Sequence, residues 1–180
     1  RGWRVVNLTR ENVVVAVGAL VAVVLQVAVA PNVAIFAAQP NFLLAYVLTV
    51  AIANPLGAGP VLPFALGLLF DLLGTGPVGG MALLFTLASL AASRAFAVLD
   101  NDTLFMPLAI LVAASFAVEM LYGILLVALG SPVGLADAFF YRALPCALYD
   151  CVVALVLYPL VVRLVSGAAQ DRGPRTPRLR

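Results

Sequence analysis

Histidine and lysine are both absent, and charged side chains make up only 10% of the 180 residues. Each shortage excludes a chemistry. Without histidine there is no Ser-His-Asp triad, no Cys-His pair and no zinc site of the His-x-x-x-His kind. Ser89 and Ser93 have neither a G-x-S-x-G context nor a lysine to activate them. The two cysteines, Cys146 and Cys151, lie in one apolar run with no second pair. Metal or redox spacing is therefore missing, and buried, inert thiols are expected. The ten basic residues, all arginine, leave a formal charge of +2, too small and too localised for a nucleic-acid partner. A wetted surface is lacking as well. Soluble domains carry about 25% charged and about 45–50% apolar residues, whereas this chain is 64% hydrophobic. Most of its exterior must face lipid.

What is present is a series of long apolar runs. A spanning helix needs about 20 apolar residues. Six segments qualify or come close: Val13–Ala30, Asn41–Ala53, Val61–Leu73, Val78–Val98, Leu104–Leu129 and Ala143–Val165. The second and third are short, suited to a thinned bilayer or to extension into their flanks. The connectors, among them "NPLGAGP", "GTGPVGG" and "GSPVGLADAFF", are rich in Gly, Pro, Asn or Asp and too short to hold a soluble domain. The chain opens on Arg1 rather than Met, which reads as numbering that starts inside a longer chain or after processing. The run from Val13 is too long for a signal-peptide core and lacks an A-x-A-like cleavage site, so it reads as a retained span. One membrane domain over 1–165 is expected, followed by a polar, Pro-rich, disordered tail over 166–180. Arginines cluster before the first span and after the last. By the positive-inside rule both termini are then cytoplasmic, which six spans satisfy.

Asp71 stands out in "GLLFDLLGTGPVGG" as a lone carboxylate ahead of a burst of glycine. At the end of its own helix it is opposed by the helix dipole. The next span starts soon afterwards, with Gly76 and Pro77 at its beginning and Pro at the first helical position. The expected arrangement turns Asp71 back to accept hydrogen bonds from the first-turn amides of span four. Gly76, Pro77 and Gly79 shape that hairpin. The alternative is a carboxylate that contacts a ligand or partner. Glu119 lies in the middle of span five, where an acid costs about 2.5–3.5 kcal/mol on insertion scales and should face the bundle or a cavity. Its readings are a proton relay or substrate site, an interhelical hydrogen bond, or a contact to a partner's helix. Asp150 and Arg142 are the other ionisable groups near it, and Gln26 can hydrogen-bond across helices. Gly18 and Ala22 form a small-xxx-small step that could admit a close neighbour. An aspartyl dyad of Asp71 and Asp150 lacks the flanking signatures of the intramembrane proteases.

Several stretches together resemble the MreD family of rod shape-determining proteins, found in the bacterial inner membrane. They are "LQVAVAP" (Leu25–Pro31), "PNFLLAYVLTVAIA", "GPVLPFALGLLFDLLGTGPVGGMALLFTL" (Gly59–Leu87) and "ALPCALYDCVVALVLYPLVVRL" (Ala143–Leu164). The most specific element is Asp71 followed by the Gly76-Pro77-x-Gly79 turn between spans three and four. Two positions depart from the family pattern: Asn41, where many members carry Asp, and Asp150, where an uncharged polar residue is commoner.

The resemblance implies an all-α, six-helix membrane fold similar to the substrate-binding subunits of energy-coupling-factor vitamin transporters. It implies a non-enzymatic role with no cofactor. The protein would be a scaffold of the elongation machinery that binds an MreC-like single-span partner within membrane lipid. It would thereby help connect MreB filaments to peptidoglycan synthases. The rival reading is a vitamin-binding subunit itself. Such a site needs convergent polar and aromatic groups near the outer loops. The sequence offers little there beyond Asn32, Gln39, Asp137, Tyr141 and Arg142, so a sparse polar interior and a scaffold role are expected. Span five with Glu119 is a candidate docking face.

Overall fold

The computed structural model describes residues 10–34, 38–54, 59–99, 105–130 and 134–170. Its helices are α1 (Arg10–Ala28), α2 (Phe42–Ala53), α3 (Val61–Leu73), α4 (Gly80–Val98), α5 (Phe105–Ala128), the single turn α6 (Leu135–Asp137) and α7 (Leu144–Gln170). A 3-10 turn, Ala30–Val33, follows α1, and a π-helical segment, Ala138–Ala143, leads into α7. Pro63 and Pro107 fall in the first turns of α3 and α5, where a missing N–H breaks no helical bond. The chain is all-α, and its six long helices fit the six apolar segments.

α4, α5 and the stretch Phe139–Leu164 are long and apolar enough to cross a membrane. The other three apolar helices, Asn12–Ala28, Phe42–Ala53 and Val61–Leu73, are shorter. Large apolar side chains stand exposed along whole helix faces, including Val17, Leu20 and Val24 on α1 and Val152, Leu155 and Val156 on α7. In water such faces would be an aggregation hazard. In lipid they are the solvent-matched exterior.

α2 is apolar on every side, and a helix of that kind belongs in an interior. Residues Leu43 to Ile52 are all buried. α1, α7, α5, α4 and α3 follow one another around it, each packed on the next and each touching α2. Close approach depends on small residues at two places. Gly18 of α1 leaves room for Tyr46 of α2, whose hydroxyl donates to the Val15 carbonyl at 2.7 Å. Gly67 of α3 lies directly on the α4 backbone at Met81 and Ala82. The small-xxx-small step at Gly18 and Ala22 thus meets a helix of the same chain.

Several boundaries differ from expectation. α4 begins at Gly80, so Pro77 lies in the turn before the helix and not at its first position. The N-cap is Gly79, in the left-handed region at φ 99°. The connector expected before span six is partly helical, holding α6 and the π segment. Phe139 of that segment stacks edge-on against Phe116 of α5 at 5.7 Å, which ties the segment to the bundle. α7 runs to Gln170, past the boundary expected at 165, and the tail expectation for 171–180 lies outside the described residues. Cys146 is buried, but Cys151 is only half-buried.

Candidate functional site

α2 has only 12 residues, about 18 Å at 1.5 Å per residue, against a hydrocarbon core of about 30 Å. Its N-terminus therefore ends inside the bundle, where orphaned N–H groups need partners other than water. Three side chains supply them. Asp150 Oδ1, from α7, accepts the Asn41 N–H at 2.8 Å. Gln26 Oε1, from α1, accepts the Phe42 N–H at 2.8 Å, and its Nε2 donates to the Pro40 carbonyl at 3.4 Å. Asn41 caps its own helix, its Oδ1 accepting the Leu44 N–H at 3.0 Å. Asn41 and Asp150, 109 positions apart in the chain, are thus in direct contact.

A second carboxylate serves α4 in the same way. Asp71 Oδ2 accepts the N–H groups of Gly79 at 2.8 Å and Ala82 at 3.2 Å, and Oδ1 accepts that of Met81 at 3.1 Å. Negative charge at a helix N-terminus is favoured by the macrodipole. Gly79 makes the turn feasible, because its positive φ aims its N–H back at α3 at no Cβ cost. Gly76 leaves space for the Tyr122 hydroxyl of α5.

These two capped termini border one cavity of about 470 Å³. Gln26 of α1, the Gln39–Asn41 approach to α2, Asp71 and Thr75 of the α3–α4 hairpin, and Glu119 and Tyr122 of α5 line it. Asp71 and Glu119 are each 3% exposed, Asn41 2%, and Asp150 is fully buried. Glu119 and Asp150 lie within Coulombic reach of each other. Two buried polar atoms here have no hydrogen-bond partner among the described residues: Asn41 Nδ2 and Asp150 Oδ2.

The structure thus brings Gln26, Asp71, Gly76, Glu119 and Asp150 to one end of the bundle. Pro77 and Gly79 lie in the adjoining turn. Arg142 falls in the π-helical segment, and its side chain lies outside the described residues. Two expectations are corrected. The interior is not sparsely polar, because helices far apart in sequence converge their few polar residues on one cavity. Glu119 does not lie on an outward docking face. It is buried, and Leu121 and Ile124 stand on the exposed side of α5. The sequence reading also missed Asn41 and Tyr122 as cavity residues. Asn41 had a usable signal, a capping residue after Pro40 and before an apolar run. Ser89 and Ser93 are buried on α4, and Ser93 donates to its own helix at Leu90.

Residues 9–167 match the family model for the rod shape-determining protein MreD. The chain belongs to the MreD family. The match covers α1 to nearly the end of α7, including both capped termini and the cavity. MreD-family membership assigns the chain to rod shape determination, in a structural family of integral membrane proteins. No curated protein and no solved structure matches it significantly.

Proposed function

We propose that this MreD-family chain is a non-enzymatic membrane scaffold of the cell-elongation machinery. It holds an MreC-like single-span partner and helps link cytoskeletal filaments to peptidoglycan synthesis. The observation that carries this reading is the family match over 9–167. Its chemistry is supported by the long apolar faces turned outward, since helices associate in lipid through close packing and a few hydrogen bonds. The scaffold sits in the inner membrane with six spans and both termini cytoplasmic, in keeping with the arginine bias. Short α2 and α3 are carried within the bundle by their longer neighbours.

Purification from native membranes, with mass spectrometry of what accompanies the chain, tests the proposal. The partner complex should survive mild detergent and high salt, because apolar packing is barely screened by ions. Recovery of the chain alone would count against it.

One observation favours the rival vitamin-transporter reading more than the sequence did. The polar cavity of about 470 Å³ is within the size of small-ligand pockets, about 300–1,000 Å³. Recovery with a transporter ATPase and a bound vitamin would transfer the assignment to that class. Neighbouring genes discriminate as well: an adjacent MreC-like gene supports the scaffold, and vitamin-biosynthesis genes support the rival.

A further inference from the structure

The polar cavity is larger than helix packing requires. Protein interiors hold few voids bigger than one water molecule, and about 470 Å³ is room for on the order of fifteen waters at about 30 Å³ each. Its walls are held by the protein's own hydrogen bonds. Asp71 is tied to the amides of Gly79, Met81 and Ala82, and Gln26 to Phe42 and Pro40. One group on the wall is left over. Asn41 lines the cavity and is almost wholly buried, and its Oδ1 accepts from Leu44, but its Nδ2 has no partner among the described residues. A buried donor of this kind costs stability until something accepts from it. The opposite side of the cavity is open: Gln39 and Thr75 line it and are exposed. Phe70 and Leu126 add an apolar wall.

We propose that this cavity binds a neutral, hydroxyl-rich ring, a sugar, supplied free in solution or as the headgroup of a glycosylated membrane lipid. The lining asks for a group that both gives and takes hydrogen bonds. Asn41 Nδ2 only donates. Asp71 only accepts, and its three backbone bonds leave one of about four acceptor positions open. An ammonium donates without accepting, and a phosphate or carboxylate accepts without donating, so each answers one of these two groups and not the other. A hydroxyl does both, and adjacent hydroxyls on one ring serve both. The Gln39 amide and the Thr75 hydroxyl at the open side are likewise donors and acceptors. Water also meets such groups, but it leaves Phe70 and Leu126 wetted, whereas the carbon-bound hydrogens of a sugar ring cover them. A pocket of about 470 Å³ falls in the small-ligand range of about 300–1,000 Å³. It opens beside the α3–α4 hairpin, so a lipid headgroup reaches it from that membrane surface.

The test uses the purified full chain in a detergent without a sugar headgroup. Sugars stabilise proteins non-specifically by exclusion from the surface, so binding is read directly, by saturation-transfer NMR of the added small molecule. The probes are the methyl glycosides of glucose, galactose and mannose, with ethylamine, acetate and a ring lacking hydroxyls, tetrahydropyran, as controls. In parallel, the chain is held in bilayers of a monoglycosyl diacylglycerol and phosphatidylglycerol with the same acyl chains, and retained lipid is counted by native mass spectrometry. Saturable binding of a glycoside over all three controls, without lipid preference, assigns a soluble sugar. Preferential retention of the glycosylated lipid assigns the headgroup. Asn41→Ser keeps a capping oxygen and removes the free N–H, and should weaken whichever response is seen about five-fold, the share of one neutral hydrogen bond, with little change in melting temperature. Gln39→Ala, on the open side, should weaken it as well and decides alone if the Asn41 variant fails to fold. No saturable glycoside binding together with no lipid preference would mean that the cavity holds water only, and would overturn the proposal. So would equal binding of any control, or undiminished binding in the folded variants. Partner co-purification is read separately, so failure here leaves the scaffold reading standing.

Discussion

Asp71 and Asp150 do the same kind of work at different ranges in the chain. Each carboxylate serves the start of another helix, Asp71 accepting three backbone N–H groups at α4 and Asp150 accepting that of Asn41 at α2. Asp71→Ala leaves three amides without their acceptor, and Met81 and Ala82 are buried. Thermal unfolding in detergent should show a loss of about 1–3 kcal/mol. Asp71→Asn, which keeps one acceptor oxygen, should lose less. An Asp71→Ala variant of unchanged stability that fails to bind its partner would instead make the residue a contact. For Asp150, the Ala variant should cost a similar amount by the same assay, because it orphans the Asn41 N–H, and the Asn variant less. The reach of these bonds explains why only one was legible. Asp71 meets residues 8 to 11 positions on, close enough for a hairpin argument from Gly and Pro alone. Asp150 meets Asn41 across 109 positions, and no local pattern encodes that.

At the scale of helices, the fold depends on how closely α3 and α4 approach. A Cβ on Gly67 would sit 2.6 Å from Ala82 Cα and 2.7 Å from the Met81 carbonyl oxygen. Both are backbone atoms and cannot rotate aside, so the helices themselves must part. Gly67→Ala should therefore destabilise the chain by about 1–3 kcal/mol, the usual range for overpacking. Gly59→Ala, with nothing within 4 Å of the added carbon, serves as the neutral control in the same melt. Parting α3 from α4 also stretches the Asp71 bonds to Met81 and Ala82. Gly67→Ala combined with Asp71→Ala should then cost less than the two losses added, as expected for groups that share partners. Helix existence was readable from the apolar runs. Helix starts were read less well: Pro77 has a sequence signature equally suited to a first helical turn and to the loop before one, and the bonds to Asp71 place it in the loop.

For the molecule as a whole, the proposed topology has an even number of crossings, argued from the arginine bias and six helices. Cysteine-accessibility scanning should find both termini on the cytoplasmic side, and a periplasmic C-terminus would refute that arrangement. Lipid as the solvent, the all-α class and the family were all decided by the sequence itself. Composition forces the first two, since a chain with 10% charged residues cannot wet its surface, and in lipid a helix satisfies its own backbone. The family follows from motifs in order along nearly the whole chain. What only the tertiary structure decided is which helix lies inside and where the polar residues meet. The all-round apolar pattern of α2 suits it to an interior, but α3 and α5 are nearly as apolar and still stand partly exposed, so hydrophobicity alone does not say which helices enclose which. Burial of α2 follows from its neighbours closing around it. Once it is enclosed, its short N-terminus needs hydrogen-bond partners, and Gln26, Asn41 and Asp150 gather from three separate parts of the chain to supply them.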